Sequence, residues 1–267
     1  MRDFLRKIKR LIITTIYLFE NILFYKTKIV DGNKIKFFTP NSITKWRVKT
    51  LFTKEPETLE WIDNFKTNKD TIFWDIGANI GLYSIYAISK HADINVVSFE
   101  PSTSNLRVLS RNISINNFEN KIKISPFALT NKENQYLLMN ESRFVEGAAI
   151  HSFGQNIENN ITAENNYKIY GTSINYLLRN KILQIPKYIK INVDGIEDLI
   201  LEGASDFLSN EIICSLSIEI DENLEQKYEN IMQIMKKNNF KLKHKKNYQI
   251  FYGEKNYTGT LNYVFER

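Results

Sequence analysis

Two acidic residues and two glycines, spaced along one stretch of the chain, are of types that could hold a nucleotide-like ligand. Asp75 is followed by Gly77 and Gly81, and Glu100 ends a second apolar run further along. Glycine lets the backbone turn sharply and approach a ligand closely, because it carries no Cβ atom. A carboxylate at the end of the second run can accept two hydrogen bonds from ribose hydroxyls. These residues therefore predict a site for a nucleotide-containing cofactor, with Glu100 on the ribose.

The spacing of the glycines separates two classes of cofactor. A nicotinamide site has Gly-x-Gly-x-x-Gly, whose backbone N–H groups receive a pyrophosphate, whereas residues 75–81 read Asp-x-Gly-x-x-x-Gly. An acid in the loop would repel a diphosphate but can hold an ammonium group, directly or through water. This suits the amino-acid end of S-adenosylmethionine, so we interpret Asp75 as a cofactor ligand. The alternative is a turn in which Asp75 only caps the following helix.

Apolar runs and the helices between them must position these residues. Residues 71–76 and 96–99 are rich in β-branched and aromatic side chains, as buried strands are. A helical pattern follows each run, over residues 80–89 and 102–116. Strand, helix and strand in this order give parallel strands with right-handed crossovers and helices on both faces of an open sheet. We predict further strands at 121–127, 135–139, 188–193, 212–220, 249–252 and 261–265, and further helices at 56–65, 196–207 and 223–238.

These motifs resemble the FkbM-like family of class I S-adenosylmethionine-dependent methyltransferases. Residues 75–84 are similar to the first motif of the family, and residues 99–112 to the second. Residues 190–197 read Lys-Ile-Asn-Val-Asp-Gly-Ile-Glu and are similar to its late motif Lys-Ile-Asp-Val-Glu-Gly-x-Glu. Asn192 stands where the family usually has Asp. Shorter similarities lie at residues 128–129, 172–177 and 217–220.

The resemblance implies a Rossmann-like α/β fold with an open, mostly parallel seven-stranded sheet, helices on both faces and an antiparallel C-terminal hairpin. It implies S-adenosyl-L-methionine as the cofactor, and methyl transfer to a hydroxyl oxygen of a sugar, a glycan or a glycan precursor. It adds the following residues to the predicted cofactor site: Ala78, Asn79, Tyr83, Ser84, Pro101, Asn105 and Ala128. Ala128 would lie against the adenine, and the alternative for its segment is a plain exit from the strand.

Three side chains are candidates for the base that removes the hydroxyl proton. Asp194 and Glu219 lie at the ends of apolar runs, and ligands of open α/β sheets lie beyond the carboxyl ends of the strands. His151 lies in residues 140–170, which lack periodicity and which we assign to an irregular loop for substrate recognition. The alternatives are a helix cap for Asp194 and a solvated loop position for His151.

Length and composition limit the organisation of the chain. Its 267 residues, 43% hydrophobic and 25% charged, are typical of one globular domain with an extension. We predict a helical and hairpin extension at 1–66 and a methyltransferase domain at 67–267. One cysteine, Cys214, and three histidines exclude a disulfide framework and a Cys- or His-rich metal site, and a cytoplasmic location is favoured. No metal site is predicted, with Mg²⁺ held by carboxylates as the open alternative. The net charge of +6 is scattered without a nucleic-acid-binding motif, so nucleic acid is not a predicted partner.

Residues 1–25 join a basic run to an apolar run of Leu, Ile, Tyr and Phe. The apolar part is shorter than the roughly twenty residues of a transmembrane helix, and no cleavage site of a signal peptide follows it. One interpretation is an interfacial helix on the inner face of an anionic membrane. The other is a helix packed on the domain or on the twin subunit of a homodimer. Residues 28–38, with Asp31 and Gly32 at their centre, predict a β-hairpin.

Two functions from other classes compete with methyl transfer. A nicotinamide-dependent sugar oxidoreductase would need the Gly-x-Gly-x-x-Gly loop and a Tyr-x-x-x-Lys pair, and the loop lacks that pattern. A membrane-associated interaction protein could keep the fold without the chemistry, as the basic and apolar N-terminus and Asn192 suggest.

Overall fold

A computed structural model describes residues 2–154, 162–246 and 259–267. In chain order the elements are α1 (Arg2–Leu23), β1 (Tyr25–Val30), β2 (Asn33–Phe38), α2 (Ser42–Lys49), α3 (Pro56–Asp63), β3 (Ile72–Ile76), α4 (Leu82–Lys90), β4 (Asn95–Phe99), α5 (Thr103–Ser114), β5 (Ile122–Ser125), β6 (Ala128–Leu129), β7 (Gln135–Glu141), β8 (His151–Phe153), β9 (Asn165–Thr172), α6 (Ile174–Arg179), β10 (Tyr188–Ile191), α7 (Glu197–Glu202), β11 (Ser215–Asp221), α8 (Glu225–Lys237), β12 (Lys241–Lys246) and β13 (Thr260–Glu266).

Seven strands form one sheet in the order β12-β13-β11-β10-β3-β4-β5. The pairs from β11 to β5 are parallel, and β13 runs antiparallel to both of its neighbours. From β3 the chain proceeds to β4 and β5 on one side, while β10 and β11 lie on the other. Such a reversal of strand order opens a crevice at the carboxyl ends of the strands. The predicted fold class is therefore confirmed.

Side chains of the sheet point alternately to two hydrophobic clusters, one on each face. In β3, Phe73 packs into the cluster that contains buried residues of α3, α4 and α5. Its neighbours Trp74 and Ile76 pack into the cluster that contains buried residues of α6, α7 and α8. Helices therefore cover both faces of the sheet, as predicted.

The segment 140–170 differs from its prediction as an irregular loop. A second sheet has the order β6-β9-β7-β8, and both β8 and β9 pair antiparallel with β7. The prediction was wrong for these two strands. The alternation typical of strands is hidden because these strands are short and asparagines are frequent in this segment. Both segments become strands through their cross-strand pairing with β7.

The closing hairpin of the described residues consists of β12 and β13. Strand β13 was predicted, but β12 was not, because the lysines typical of an exposed edge strand conceal its alternation. The strand predicted at 249–252 lies outside the described residues. Helix α7 ends at Glu202, five positions before the predicted end, and the short helix α2 was missed.

The predicted hairpin near the N-terminus is confirmed. Its turn residues Asp31 and Gly32 both have positive φ angles, 47° and 80°, as in the tight turns that match the twist of paired strands. The hairpin packs on α5 through Asn112, whose Oδ1 accepts the N–H of Phe38 at 2.6 Å. The Nδ2 of the same residue donates to the Ile80 carbonyl at 2.8 Å. These two hydrogen bonds tie the hairpin to α5 and α5 to the turn before α4.

Helix α1 is the N-terminal element and leads directly into β1. Among the described residues, no helix combines the length and the apolar character that crossing a membrane requires.

Candidate active site

The turn between β3 and α4 is held between two neighbouring strands. The N–H groups of Gly77 and Ala78 donate to the Phe99 carbonyl at 3.0 and 2.9 Å. Gly77 has a φ angle of +81°, and a Cβ atom there would lie 1.8 Å from the carbonyl oxygen of Asn192. Only glycine therefore allows the turn to approach the end of β10 this closely.

Glu100 follows β4 directly and is only 4% exposed. Its Oε2 accepts the N–H of Asn79 at 2.7 Å, and its Oε1 accepts the N–H of Ser102 at 2.8 Å. Burial raises the pKa of this carboxyl to about 7, against these hydrogen bonds. A carboxylate has about four acceptor positions, so both oxygens can still accept ligand hydroxyls.

A cavity opens at the carboxyl ends of β3, β4, β10 and β11 and holds about 1040 Å³ of empty space, its mouth included. All three candidate bases, Asp194, Glu219 and His151, line it. So do most of the predicted cofactor residues: Gly77, Ala78, Asn79, Tyr83, Glu100, Pro101, Asn105 and Ala128.

Asp75, Gly81 and Ser84 do not line the cavity. The Asp75 side chain is fully buried and accepts a hydrogen bond from the Ser84 hydroxyl at 2.6 Å. Burial raises the pKa of Asp75, while the nearby Lys190 opposes the shift. Direct contact of Asp75 with the cofactor thus stays a prediction, and in this structure its bond to Ser84 ties β3 to α4. At Gly81 a Cβ atom would lie 2.5 Å from the Leu109 side chain, so this glycine serves the packing of α4 against α5.

One side of the cavity is apolar. It is lined by Phe99, Phe127, Ala128, Leu129, Met139 and Phe153. Such a compartment suits a flat aromatic group such as adenine. Because Glu100 also lines the cavity, the residues present fit a nucleoside with its base on the apolar side and its ribose at the carboxylate.

Asp194 links the end of β10 to the segment before β8. Its Oδ2 accepts the N–H groups of Ile150 at 2.7 Å and His151 at 3.4 Å. Helix α7 has no side-chain cap, and the N–H groups of Val193 and Gly195 are accepted by Glu197 instead. The helix-cap alternative for Asp194 is therefore wrong.

His151 is a buried residue of β8, opposite Glu141 of β7. The alternative of a solvated loop histidine is therefore wrong. Neither ring nitrogen makes a well-aligned hydrogen bond with another described residue, although the Ala148 backbone lies close enough to favour the protonated form slightly. Burial lowers the pKa of His151, and the carboxylates of Glu141 and Asp194 oppose the shift only in part. The imidazole is accordingly neutral at pH 7 and able to accept a proton.

Glu219 lies in β11, and its carboxyl group is protonated at neutral pH. Burial raises its pKa to about 8, and the negative charge of Glu55 adds to the shift. The pKa of Glu55 itself is shifted in the opposite direction. Burial alone would raise the pKa of Glu55, but Lys54 and Lys190 lower it to about 2. The Lys54 ammonium lies 2.8 Å from the Glu55 carboxylate.

Four charged residues of the cavity wall were missed from the sequence: Arg47, Lys54, Glu55 and Lys190. The first three precede the cofactor motifs and reach the cavity only through the packing of α2 and α3. Lys190 offered a signal, because a lysine within an otherwise apolar strand must find a partner on burial. It lies over the ring of Tyr83, 4.9 Å from the centroid.

Together, the reversed strand order, the glycine turn and the acid that follows the adjacent strand are the features of a Rossmann-like nucleotide-binding fold. Residues 75–242 match the family described as the Methyltransferase FkbM domain, which is more than half of the chain. The chain therefore belongs to the FkbM methyltransferase family, and the predicted family is confirmed.

Individual relatives are more distant. The methyltransferase sdnD of Sordaria araneosa is 28% identical over 97 residues, which are 36% of this chain and 36% of sdnD. The crystal structure of the methyltransferase FkbM from Methylobacillus flagellatus KT has a TM-score of 0.51 and 15% identity, and the alignment covers 76% of this chain and 45% of that one. A precorrin-6y C5,15-methyltransferase from Geobacter metallireducens GS-15 has a TM-score of 0.47 and 12% identity over 82% of this chain and 91% of that one. The chain thus spans less than half of sdnD and of the FkbM structure.

The family assignment supports S-adenosylmethionine as the cofactor, in agreement with the fit of the cavity to a nucleoside. When bound, the cofactor supplies a methyl group on an electrophilic sulfonium. Within residues 2–154, 162–246 and 259–267, no group of three or more His, Cys, Asp or Glu is arranged to hold a metal ion.

Proposed function

We propose that the protein is an S-adenosylmethionine-dependent O-methyltransferase whose acceptor is a hydroxyl of a sugar, a glycan or a glycan precursor. The observation that carries the proposal is the position of His151 and Asp194 on the same cavity as Glu100. A hydroxyl is a weak nucleophile, so its methylation gains from a base beside it. A cavity that combines a ribose acid with candidate bases supports transfer to oxygen.

His151 and Asp194 have complementary properties in such a reaction. The imidazole is neutral, and neither ring nitrogen makes a well-aligned hydrogen bond in the described part of the chain, so it can accept the hydroxyl proton. The Asp194 carboxylate fixes the backbone at His151 through the 2.7 Å hydrogen bond from Ile150. It can then stabilise the imidazolium that forms. Most of the catalytic gain comes from holding acceptor oxygen, methyl carbon and sulfur in line.

A hydroxyl-rich acceptor suits the polar side of the cavity. Donors and acceptors of both charges line it: Arg47, Lys54, Glu55, Asn192, Asp194 and Glu219. A protonated Glu219 can donate a hydrogen bond to a sugar oxygen, and the cationic groups can do the same. An apolar acceptor would leave polar groups such as the Arg47 guanidinium without a hydrogen bond from the ligand, at a cost of about 1 to 3 kcal/mol each.

A panel of monosaccharides and nucleotide sugars tests the proposal, with mass spectrometry to detect and locate the added methyl group. We expect methylation on oxygen. His151→Gln should reduce turnover on the order of a hundredfold or more, within the range for a lost base. Asp194→Asn should reduce it as well, and both variants should keep near-normal affinity for S-adenosylhomocysteine. A methyl group on nitrogen or carbon would contradict the oxygen assignment, and cofactor binding without transfer to any acceptor would favour the non-catalytic alternative.

A further inference from the structure

Arg47 of α2 is a cation on the cavity wall without an anionic partner at contact distance. Its Nε donates to the Gly147 carbonyl. Asp194, Glu55 and Glu100 act on it through space, but no described carboxylate oxygen lies within 4 Å of its guanidinium nitrogens. The acid nearest along the chain to Gly147 is Glu146, which already pairs with Arg107 at 2.6 Å.

The guanidinium is held in place rather than free to leave the cavity. Helix α2 begins with a capping box at Asn41, and the Nδ2 of Asn41 donates to the Glu146 carbonyl at 2.9 Å. This bond and the one from Arg47 to Gly147 fasten α2 to the segment before β8. The remaining N–H groups of Arg47 therefore have a fixed position at the cavity.

We propose that Arg47 is a carboxylate-binding residue of this cavity. A half-buried arginine at a cavity wall gains from an anionic partner, and its planar fork matches a carboxylate with two parallel hydrogen bonds. Two ligands could bring this group: the amino-acid end of the cofactor, or an acidic sugar as the acceptor. The second source rests on the proposed function. Arg47 also lies outside residues 75–242, which match the family, so it is a feature of this chain beyond the matched domain.

Calorimetric binding to the wild type, Arg47→Gln and Arg107→Gln tests this assignment. Arg107 is the matched control, because it also binds the segment at Gly147 but its side chain is 63% exposed and outside the cavity. The first pair of probes is S-adenosylhomocysteine and 5′-methylthioadenosine, which lacks the carboxylate. The second pair is D-glucuronate and D-glucose, with and without saturating S-adenosylhomocysteine.

If the carboxylate belongs to the cofactor, Arg47→Gln weakens S-adenosylhomocysteine about ten- to a hundredfold and leaves 5′-methylthioadenosine unchanged. If it belongs to the acceptor, the wild type prefers glucuronate to glucose and Arg47→Gln loses that preference. The Arg107→Gln variant should behave as the wild type in both comparisons. The proposal is overturned if two affinity ratios are the same in Arg47→Gln and the wild type. These are the ratio of S-adenosylhomocysteine to 5′-methylthioadenosine and the ratio of D-glucuronate to D-glucose. Failure of both nucleosides to bind the wild type would instead count against the proposed function, and the sugar pair would still decide the role of Arg47.

Helix α1 supports a second, independent inference, because its exposed apolar and basic side chains lie on different faces. At 100° per residue, the exposed apolar side chains that the structure describes in this helix fall within a sector of about 120°. They are Phe4, Leu5, Ile8, Leu11, Ile12 and Phe19, between 38% and 68% exposed. The exposed cations fall in the rest of the circle: Arg6, Lys7, Lys9 and Arg10. We call the first set the apolar stripe.

We infer that the apolar stripe lies on an anionic lipid surface. Lys7 and Lys9 are at the two edges of the stripe, where the headgroups of a membrane would meet a helix lying in its plane. Asp3 is the one acid among residues 3–12, so this part of the helix is complementary to negative lipid. Two copies that packed stripe on stripe would instead bring their flanking lysines together, which is unfavourable.

Flotation of the full chain with vesicles tests this inference. We expect binding to vesicles rich in phosphatidylglycerol, little binding to pure phosphatidylcholine, and a loss of binding as salt rises. The double variant Phe4→Ser with Leu11→Ser, and separately Lys7→Gln with Lys9→Gln, should each weaken binding about tenfold or more. Thr14→Ser on the polar face is the control. Absence of vesicle binding, equal binding by the stripe variant, or a dimer in solution that the stripe variant dissociates would each overturn the inference.

Discussion

Glu100 is the residue through which the geometry links most directly to cofactor recognition. In Glu100→Gln one acceptor oxygen becomes an NH₂ group, which would face the N–H of Asn79 or Ser102. We expect the affinity for S-adenosylmethionine to fall about ten- to a hundredfold, because a charge-assisted hydrogen bond is worth about 1.5 to 3 kcal/mol. Calorimetry on the folded variant measures this change.

Glu197 provides the matched control for Glu100. It is buried, it accepts backbone N–H groups, and burial raises its pKa to about 7 as well, but it does not line the cavity. Glu197→Gln should lose stability to a similar extent and keep normal cofactor affinity. Equal affinity losses in both variants would show that the effect is general destabilisation and not ribose recognition.

Glu219 makes the stability of the protein depend on pH. Its pKa is about 8 in the folded state, against 4.5 as the ordinary value. The folded protein therefore binds more protons between these values, and the stabilising contribution is complete below about pH 4.5 and is lost as the pH rises through about 8. We expect the melting temperature of Glu219→Gln to fall less than that of the wild type between about pH 6 and pH 9. Parallel melting curves of the two proteins would contradict the raised pKa.

Single residues differ in how far their surroundings could be predicted. Glu100 and Asp194 were placed on the cavity because strand ends can be read from apolar runs that lie beside them in the sequence. Arg47 could not be placed on the cavity from the sequence, because its position depends on how α2 packs against a segment a hundred residues later. Asp75 shows the opposite case: the motif was found, but its side chain accepts from Ser84 and does not reach the cavity surface.

At the scale of elements, the turn between β3 and α4 depends on Gly77 for its shape. The sequence suggests that a side chain here would obstruct the cofactor, but the structure shows a collision with the backbone of Asn192. Gly77→Ala should lose about 3 kcal/mol or more of the free energy of unfolding, from left-handed strain and forced backbone movement. Urea denaturation measures this loss.

Gly32 of the N-terminal hairpin is the control for that experiment. It has a φ angle of +80°, close to that of Gly77, but nothing lies within 4 Å of an added Cβ atom. Gly32→Ala should therefore cost only the strain of the left-handed conformation, about 1 to 2 kcal/mol. If both variants lose the same stability, the contact with Asn192 does not constrain the turn.

Elements with a strong local pattern were predictable, and elements defined by their partners were not. The parallel strands β3, β4 and β10 are apolar runs of the kind that buried strands require. Strands β9 and β12 are rich in asparagine or lysine and become strands through pairing with β7 and β13. Tertiary pairing decides such cases, because β-propensity depends on the neighbouring strands.

For the whole molecule, the open and mostly parallel seven-stranded sheet follows from the resemblance of the motifs to the family, but the packing of the residues before 66 against that sheet could not be predicted. A division at residue 66 separates motif-bearing residues from the rest. In the structure the side chains of Ile35, Phe37 and Phe38 are buried in the same cluster as Phe73. Contacts of this kind join distant parts of the chain, so no local pattern reports them.

Two truncations separate the roles of α1 and of the residues between α1 and β3. Removal of residues 1–23 takes away a helix whose stripe is exposed, so we expect an unchanged melting temperature and normal affinity for S-adenosylhomocysteine. Removal of residues 1–66 also takes away Phe37 and Trp61, which are at most 5% exposed. A buried side chain of this size contributes about 1.5 to 3 kcal/mol, and several of them together approach the typical 5 to 15 kcal/mol of a domain. We therefore expect the shorter chain to be unfolded or aggregated by circular dichroism and size-exclusion chromatography. A folded shorter chain that binds S-adenosylhomocysteine as well as the wild type would show that residues 24–66 are dispensable for both the core and the cofactor site.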